Sequence, residues 1–440
     1  MPITVPGGST NVTVNGSDVL DLATQIQNAL AYAQHDLGDL TVTSVDGSQP
    51  LPSPGPTGTH EFVLSATGTV HAAIPSGYDC VVVTGSSPVT LTGIQGSAIL
   101  DDQGGGLFLV DGSAGIASIA AVSGANTIQA SGQYVISMSS APEDMLVFAG
   151  GSGTVATGQG QNTVVGDGSG TGNLILSQGT DDWIVARSGS NTVEASGTRD
   201  VIFGGIGDLN VINTGDGSTI AGFGSNSTVS SSGADAMIVA GSVSSNINIS
   251  GTNSTILGGS GPSTINASSD VLVLSGNGPL SFVGGTGTAS IRGGIGESVN
   301  ITVGVGGVLF AAQSENHVTI RSGAGISTIF GTSGSVFDFV GSQAGALFLG
   351  GAGNETMNAA GSSTHNTLLG GAAGGSNILM TGGSADDQFF AGTGSDTMTG
   401  GAGSDIFAFF ANDSNGAHDY ITDFTSNDSL YLIGCHVRFQ

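Results

Sequence analysis

Residues 184–283, which begin IVARSGSNTVEASGTRDVIFGGIGDLNVINTGDGSTI (residues 184–220), carry a branched aliphatic residue at every ninth position. These nine-residue positions are Ile184, Val193, Ile202, Val211, Ile220, Val229, Ile238, Ile247, Ile256, Ile265, Leu274 and Val283. The count first fails at Arg292, where Ile291 lies one place early. A period of nine suits a short strand with one inward side chain, a Gly-rich turn and a second strand on the opposite wall. We therefore predict an all-β fold, a parallel β-solenoid with eighteen residues per coil and one stacked aliphatic interior.

The composition excludes several classes of protein. Gly accounts for 78 of the 440 residues, whereas aromatic residues are 5% and charged residues 9%. Such a chain does not build a conventional globular core, and its 38% of hydrophobic residues recur too regularly for plain disorder. The formal net charge is −28, with five Arg and no Lys. We therefore expect no nucleic-acid partner, because phosphate binding draws on Lys and Arg, and we expect divalent cations as counter-ions.

The N-terminal segment, residues 1–59, has a different pattern. Apolar residues follow helical spacing from Ser17 to Ala33, and residues 49–59 (QPLPSPGPTGT) form a proline-rich linker. We expect this arm to cap the first coil of its own solenoid or to complement a neighbouring molecule. The start MPITVPGGSTN lacks the features of a secretory signal peptide, and no apolar stretch is long enough to span a bilayer. These features predict export without an N-terminal signal peptide and no membrane insertion.

The rest of the chain divides into four predicted regions. Residues 60–145 contain unevenly spaced β-type pieces and form an irregular β region. Residues 146–381 form the Gly-rich solenoid, residues 382–408 the last regular repeats, and residues 409–440 a C-terminal cap. Cys80 and Cys435 are the only cysteines, and we expect both to be unpaired thiols.

The last repeats carry a recognisable motif. Residues 400–408, GGAGSDIFA, match the pattern G-G-x-G-x-D-x-U-x at every specified place, and residues 382–390 and 391–399 each match it with one Ala in place of Gly. Here the chain resembles the RTX family, the haemolysin-type calcium-binding repeat proteins that are exported by type I secretion. The resemblance is clear over residues 382–432 and degenerate over about 180–310. It implies Ca²⁺ bound by Asp carboxylates and turn carbonyls, at positions matching Asp387, Asp396, Asp405, Gly383, Gly392, Gly394, Gly401 and Gly403.

Coil geometry refines this expectation, because carboxylates eighteen residues apart lie on the same wall about 4.8 Å from each other. Asp387 and Asp405 are such a pair. Asp396 faces the other wall, where Ile378 and Ser414 lie eighteen residues away on either side. We predict one good calcium site near Asp387 and Asp405 and a weaker one near Asp396.

A second, less regular acid pair lies earlier in the chain. Asp182 and Asp200 occupy the acid position, which is the residue two places before each nine-residue position, and we predict them as a second pair of calcium ligands. In the central repeats no divalent site is expected, and a ladder of hydroxyl hydrogen bonds is predicted instead. The acid position is occupied there by Ser218, Ser227, Ala236, Ser245, Ser254, Ser263, Leu272 and Ser281.

The segment after Phe407 is richer in aromatic residues and acids. Residues 419–424 (DYITDF) and 428–430 (DSL) resemble the segment that closes the β-roll in RTX proteins. An open solenoid end exposes unpaired backbone and apolar edge, so we expect this segment to cover the last coil.

Three functions remain open from the sequence. No HExxH zinc pattern occurs. Enzymes that act on acidic polysaccharides need Arg or Lys as a base or to neutralise charge, and this chain has only five Arg, so we expect no enzyme. The preferred hypothesis is a secreted structural protein that self-assembles through its arm and its solenoid ends into a filament or surface layer at the cell surface. The alternative is a monomeric adhesin or glycan-binding protein, and a polysaccharide-active enzyme is the third.

Overall fold

The structure is a computed structural model. It describes residues 3–7, 10–14, 22–32, 40–48, 51–85, 87–93, 98–103, 106–110, 116–121, 124–138, 144–167, 172–222, 224, 226–371, 376–411 and 418–434. The chain forms two compact units, Met1–Thr228 and Val229–Gln440. The strand β22 (Asn226–Ser231) contains the division between them.

The first unit contains one described helix, α1 (Leu22–Tyr32). Its strands are β1 (Ile3–Gly7), β2 (Thr10–Val14), β3 (Leu40–Val45), β4 (Thr59–Ala66), β5 (Val70–Ala73), β6 (Cys80–Gly85), β7 (Val89–Thr92), β8 (Ala98–Gln103), β9 (Leu107–Val110), β10 (Ile116–Ala121), β11 (Thr127–Ala130), β12 (Gln133–Ser137), β13 (Leu146–Ala149), β14 (Ser152–Ala156), β15 (Thr163–Asp167), β16 (Leu174–Ser177), β17 (Trp183–Ser188), β18 (Asn191–Ala195), β19 (Val201–Gly204), β20 (Leu209–Asn213) and β21 (Thr219–Ala221).

The second unit is all β in its described residues. Its strands are β23 (Met237–Val239), β24 (Ser244–Ile249), β25 (Ser254–Leu257), β26 (Ser263–Ala267), β27 (Val271–Leu274), β28 (Leu280–Gly284), β29 (Ala289–Arg292), β30 (Ser298–Thr302), β31 (Val308–Ala311), β32 (His317–Arg321), β33 (Ser327–Phe330), β34 (Val336–Val340), β35 (Ala346–Leu349), β36 (Glu355–Asn358), β37 (Thr367–Leu369), β38 (Ile378–Thr381), β39 (Gln388–Phe390), β40 (Thr397–Thr399), β41 (Ile406–Phe410), β42 (Tyr420–Ile421) and β43 (Ser429–Ile433).

Apart from β1 and β2, which pair antiparallel with each other, the strands of each unit form two parallel sheets. β3 and the even-numbered strands from β4 onward form the even sheet, and the odd-numbered strands from β5 onward form the odd sheet. Each strand pairs with its counterpart in the next coil, as when Ile184 faces Ile202 and Ile247 faces Ile265. The predicted parallel β-solenoid is therefore confirmed, with two short strands and two turns per coil.

The interior ladder is dry. Ile184, Ile202 and Ile220 in the first unit are 0% exposed, as are Ile256 and Ile265 in the second. Each such side chain packs on the equivalent one about 4.8 Å above and below, so a single coil has no core of its own.

The nine-residue count is wrong at its last two positions. Ile256 pairs with Val273 and Ile265 pairs with Phe282, so these residues are the inward ones. Val283, which the count places inside, is 40% exposed, whereas Phe282 is 1% exposed. The coil from Ser254 to Val271 contains 17 residues, and this deletion of one residue moves Leu274 and Val283 to the outer face of their strands. The coil from Phe282 to Ile301 contains 19 residues and restores the count, so Ile301 and Phe310 are buried.

Coil length varies more widely outside the regular stretch. The coil between Asp387 and Asp405 has 18 residues, whereas that between Asp405 and Asp428 has 23. Parallel pairing also runs through residues 60–138, where the sequence indicated irregular β pieces, and β3 joins it from within the predicted arm. The extra residues lie in the turns, because strand pairing fixes the register of the strand residues but not the length of the turns that connect the strands.

Helix α1 contacts β8 and β10 of the same unit. Leu22 and Ile26, one turn apart on one face, are 0% and 1% exposed. The apolar face of this helix is therefore covered within the chain. Of the cysteines, Cys80 is a buried free thiol, and Cys435 lies outside the described residues. Among those residues the only helix, α1, has eleven residues, which is shorter than a membrane span requires.

Candidate metal centre

At the acid position of the odd sheet in the second unit, side chains hold the coils together. The backbone N–H of Asn366 donates to Asp387 Oδ1 at 2.7 Å, that of Asp387 to Asp405 Oδ1 at 2.8 Å, and that of Asp405 to Asp428 Oδ1 at 2.9 Å. Each Asp thus accepts a hydrogen bond from the backbone N–H of the equivalent residue in the preceding coil. That residue lies just before its strand begins, so its N–H has no partner in the sheet. The predicted neighbours Asp387 and Asp405 do lie in adjacent coils and extend into a column of four.

The second carboxylate oxygen faces the turn before the strand. Asp387 Oδ2 accepts from the N–H of Gly383 at 2.6 Å, and Asp396 Oδ2 accepts from the N–H of Gly392 at 2.9 Å. Asp387, Asp396 and Asp405 are each 1% exposed. The motif therefore places a buried carboxylate inside the Gly-rich turns of Asp387 and Asp396.

Asp396 does have an acidic neighbour on its own wall, contrary to the expectation from the eighteen-residue spacing. Its backbone N–H donates to Asp419 Oδ1 at 2.9 Å, and its own Oδ1 accepts from Ile378 N–H at 2.9 Å. The coil between Asp396 and Asp419 contains 23 residues, so the partner lies five places beyond the one predicted. Ser414 lies outside the described residues.

The C-terminal segment supplies further acids to the last turns. Asp423 accepts through Oδ1 from Gly400 N–H and through Oδ2 from Gly401 N–H, both at 2.8 Å. Asp428 accepts through Oδ2 from Thr425 N–H at 2.7 Å. The segment predicted only to cover the last coil therefore also contributes Asp419, Asp423 and Asp428 to the candidate site. The acid-rich sequence of this segment pointed to such a role. The eighteen-residue count did not identify the partners of these acids, because the coils here contain 23 residues.

The turn glycines leave room that side chains would fill. A Cβ on Gly382 would overlap the carbonyl oxygen of Gly400 and approach Asp387 Oδ2 to 2.6 Å. Gly401 and Gly403 have φ of 93° and 140°, and a Cβ on Gly394 would overlap the carbonyl of Ser376. Carboxylate and carbonyl oxygens thus converge in the stacked turns.

This donor set fits calcium. Ca²⁺ takes six to eight oxygen ligands, including carboxylates and backbone carbonyls. Among the described residues no three His, Cys, Asp or Glu side chains converge into a metal cage, so turn carbonyls have to complete any coordination shell. Burial raises the pKa of both Asp387 and Asp405, which a divalent cation would reverse by favouring the charged carboxylates.

The earlier pair, Asp182 and Asp200, has the same ladder geometry in the first unit. Both are 0% exposed, and the N–H of Asp182 donates to Asp200 Oδ1 at 3.1 Å. Asp182 Oδ2 accepts from the hydroxyls of Ser177 at 2.6 Å and Thr157 at 2.9 Å, and the Ser177 hydroxyl also lies 3.1 Å from Asp200 Oδ2. Burial, followed by the charge of Asp182, raises the pKa of Asp200 to about 7. The nearby Arg199 pairs with exposed Asp181 instead.

The central repeats lack the predicted hydroxyl ladder. The buried hydroxyls of Ser227 and Ser254 have no hydrogen-bond partner, and Ser245 accepts from Gly241 N–H within its own turn at 3.1 Å. Ser281 pairs with Thr264 instead of Ser263, because the register has shifted by one residue. A serine side chain is one atom too short to reproduce the coil-to-coil bond that Asp or Asn makes.

Two buried acids outside the predicted set, Glu297 and Glu355, also occupy the acid position. Residues 350–358, GGAGNETMN, follow the repeat pattern with Glu in the place of Asp. Glu355 Oε1 accepts from Gly351 N–H at 2.9 Å, while Glu355 Oε2 is buried without a hydrogen-bond partner, and the residue is 4% exposed. A motif that allows Glu in the place of Asp identifies Glu355 from the sequence.

Burial raises the pKa of Glu355 to about 7. Between about pH 4.5 and pH 7 the folded state therefore holds a proton that the unfolded chain has released, so stability without calcium falls as pH rises through this window. We expect Glu355→Gln to flatten the dependence of the melting temperature on pH, measured with chelator present. The exposed Glu315→Gln variant should keep the wild-type slope, and equal slopes for wild type and Glu355→Gln would contradict the prediction.

Comparison with known families agrees with this geometry. A family model for the RTX calcium-binding nonapeptide repeat matches four copies, over residues 178–208 and 380–408. These segments contain the acid pairs Asp182 with Asp200 and Asp387 with Asp405. A search of curated proteins found no match. The chain thus carries RTX calcium-binding nonapeptide repeats in two segments, and both segments lie in parallel β-solenoid coils.

Proposed function

We propose that this chain is a secreted, calcium-binding structural protein that assembles with copies of itself into an extracellular filament or surface layer. RTX repeat proteins are typically secreted and extracellular, which supports the location. We propose type I secretion as the export route, because it is the route of the RTX proteins whose repeats match this chain.

The observation that best supports the proposal is where the strands and the buried acidic residues lie along the coils. The described residues are almost entirely stacked scaffold, and the buried acids lie at the acid position of the turns. Among them no group of three or more His, Cys, Asp or Glu side chains could hold a metal ion by itself, and a scaffolding role does not require one. We therefore propose no enzymatic activity.

Calcium has a structural role in this proposal. On the side of the odd sheet, calcium would be held by Asp387, Asp405 and Asp428 together with turn carbonyls such as that of Gly400. On the side of the even sheet it would be held by Asp396 and Asp419. Bound calcium supplies the positive charge that buried acids in adjacent coils need to be ionised together. The chain's own residues fix the spacing of the oxygens, since each Asp is already oriented by its bond to the preceding coil. Calcium would then make the last coils rigid only where its concentration is high, as outside the cell.

Assembly is tested by analytical ultracentrifugation and negative-stain microscopy of the full chain, with calcium and with chelator. We expect ordered polymers or oligomers with calcium and smaller, less ordered particles without it. Strictly monomeric particles under both conditions would contradict the proposal.

One observation favours a second candidate, a glycan-binding adhesin. Trp183 is 48% exposed, and its ring lies 5.2 Å from that of Phe203 in the next coil. Adjacent aromatic rings on a flat surface can stack on sugars. A glycan array probed with monomeric protein, with Trp183→Ala as the control, separates this function from self-assembly.

A further inference from the structure

The outer face of the odd sheet in the second unit is apolar over many coils. One row of outward side chains comprises Val239, Leu257, Leu274, Arg292, Ala311, Phe330, Leu349 and Leu369, in which Arg292 is the only charged residue. The outer face of the even sheet is mostly polar by contrast, with outward residues such as Asn246, Thr264, Asn300, Thr319, Asp338 and Asn358. The two faces of this unit therefore differ in chemistry.

The neighbouring row on the odd face alternates large and small side chains from coil to coil. The register pairs its members in the order Met237, Thr255, Leu272, Ser290, Leu309, Thr328, Leu347 and Thr367. Met237, Leu272 and Leu309 are 41%, 41% and 40% exposed. Because coils are about 4.8 Å apart, bulky residues recur every two coils with a shallow gap between them.

We infer that this face, which we call the odd face, is the lateral interface with a second copy of the chain. A second odd face displaced by one coil presents a large side chain opposite each small one, so the two rows interdigitate as packed layers require. This inference rests on the proposed self-assembly and names its surface. It differs from contacts through the N-terminal arm or the solenoid ends.

The size of the face suits a homotypic contact. The nine odd strands from β23 to β39, about 4.8 Å apart and about 13 Å long, present about 560 Å² per copy, or about 1,100 Å² in a pair. Specific interfaces begin at about 1,000 Å², and a face of this size lies near the upper end of the apolar patches of monomers, which are often functional.

Charge also favours a second copy over an anionic partner surface. The chain carries a net charge of −28, which repels anionic membranes and polymers, whereas the two outward rows contain no acid. Two odd faces can therefore meet without placing like charges in contact, while the acids of each copy remain in turns and on the even face.

The test compares two matched triple variants of the full chain in calcium. Met237→Thr, Leu272→Thr and Leu309→Thr make the odd face polar, and Val283→Thr, Val340→Thr and Leu379→Thr make the same change on the even face, where these residues are 40%, 44% and 43% exposed. Thr favours strands and all six side chains point outward, so both variants should retain the wild-type melting temperature. Sedimentation velocity over a concentration series should show self-association weakened at least tenfold by the odd-face variant and unchanged by the even-face variant.

A swap variant, Leu309→Thr with Thr328→Leu, keeps the composition of the odd face but breaks the alternation. It should also weaken association, whereas wild-type association would overturn the interdigitated interface. If wild type assembles and the odd-face triple variant assembles equally well, the inference fails while the proposed function stands. If wild type stays monomeric, both fail. Monomeric wild type that cosediments with phosphatidylcholine vesicles, but not after the odd-face substitutions, would assign the face to lipid instead.

Discussion

Calcium is expected to protect the last coils of wild type from amide hydrogen exchange and to protect them much less in the double variant Asp387→Asn, Asp405→Asn, which keeps only the site of Asp396 and Asp419. A ligand that binds only the folded state stabilises it by about 4 kcal/mol at a thousand times its Kd. Both carboxylates are 1% exposed and lie in adjacent coils, so their mutual repulsion opposes folding until a cation balances it. The measurement is exchange followed by mass spectrometry over residues 382–411, with calcium and with chelator.

The control for this prediction is the neighbouring acid. Asp386 is exposed and its Oδ1 accepts from Ser404 N–H at 2.7 Å, so it also bonds to a neighbouring coil but lies at the surface. Asp386→Asn should therefore keep the calcium response. Peptides from residues 237–371 serve as an internal reference, because the matched repeats of this unit begin at residue 380. A full calcium response in the double variant would show that these two acids do not hold the ion.

The second large effect concerns the interior ladder. We expect Phe282→Ala to lower the free energy of unfolding by about 3–5 kcal/mol, whereas Val283→Ala should change it by less than about 1 kcal/mol. Phe282 is 1% exposed between Ile265 and Ile301 in the stack, so truncation leaves a cavity, and the side chain of Val283 is 40% exposed. Denaturant unfolding followed by circular dichroism measures both variants. A larger loss for Val283→Ala would mean that the nine-residue count, and not the observed register, describes this coil.

The fold itself was predictable from a short stretch. Stacked coils bury at least one residue of each strand in a continuous interior, so an aliphatic residue at every ninth place between Ile184 and Ile265 is enough to specify a parallel solenoid. The same reasoning placed Asp387 beside Asp405 and Asp182 beside Asp200, because the coils between them contain eighteen residues. Periodicity works where turns have constant length.

The prediction failed wherever a turn changed length. One missing residue between Ser254 and Val271 moved Val283 to the surface, and five extra residues gave Asp396 its partner Asp419. Turn residues make few contacts that fix their number, and strand pairing resumes in whichever register buries the next apolar side chain. Hence Asp419, Asp423 and Asp428 were recognised as acids of a cap but not as neighbours of the repeat.

The sequence by itself determined the coil, its aliphatic interior and the glycine-flanked acids of residues 382–408, since each depends on spacing within one or two coils. Only the tertiary structure decided which acids stand in one column, that Glu355 is buried with one oxygen unpaired, and that one outer face alternates large and small side chains. Those relations join residues whose separation is set by turn length. A repeat pattern limits turn length only loosely, whereas backbone hydrogen bonding between stacked strands fixes the register.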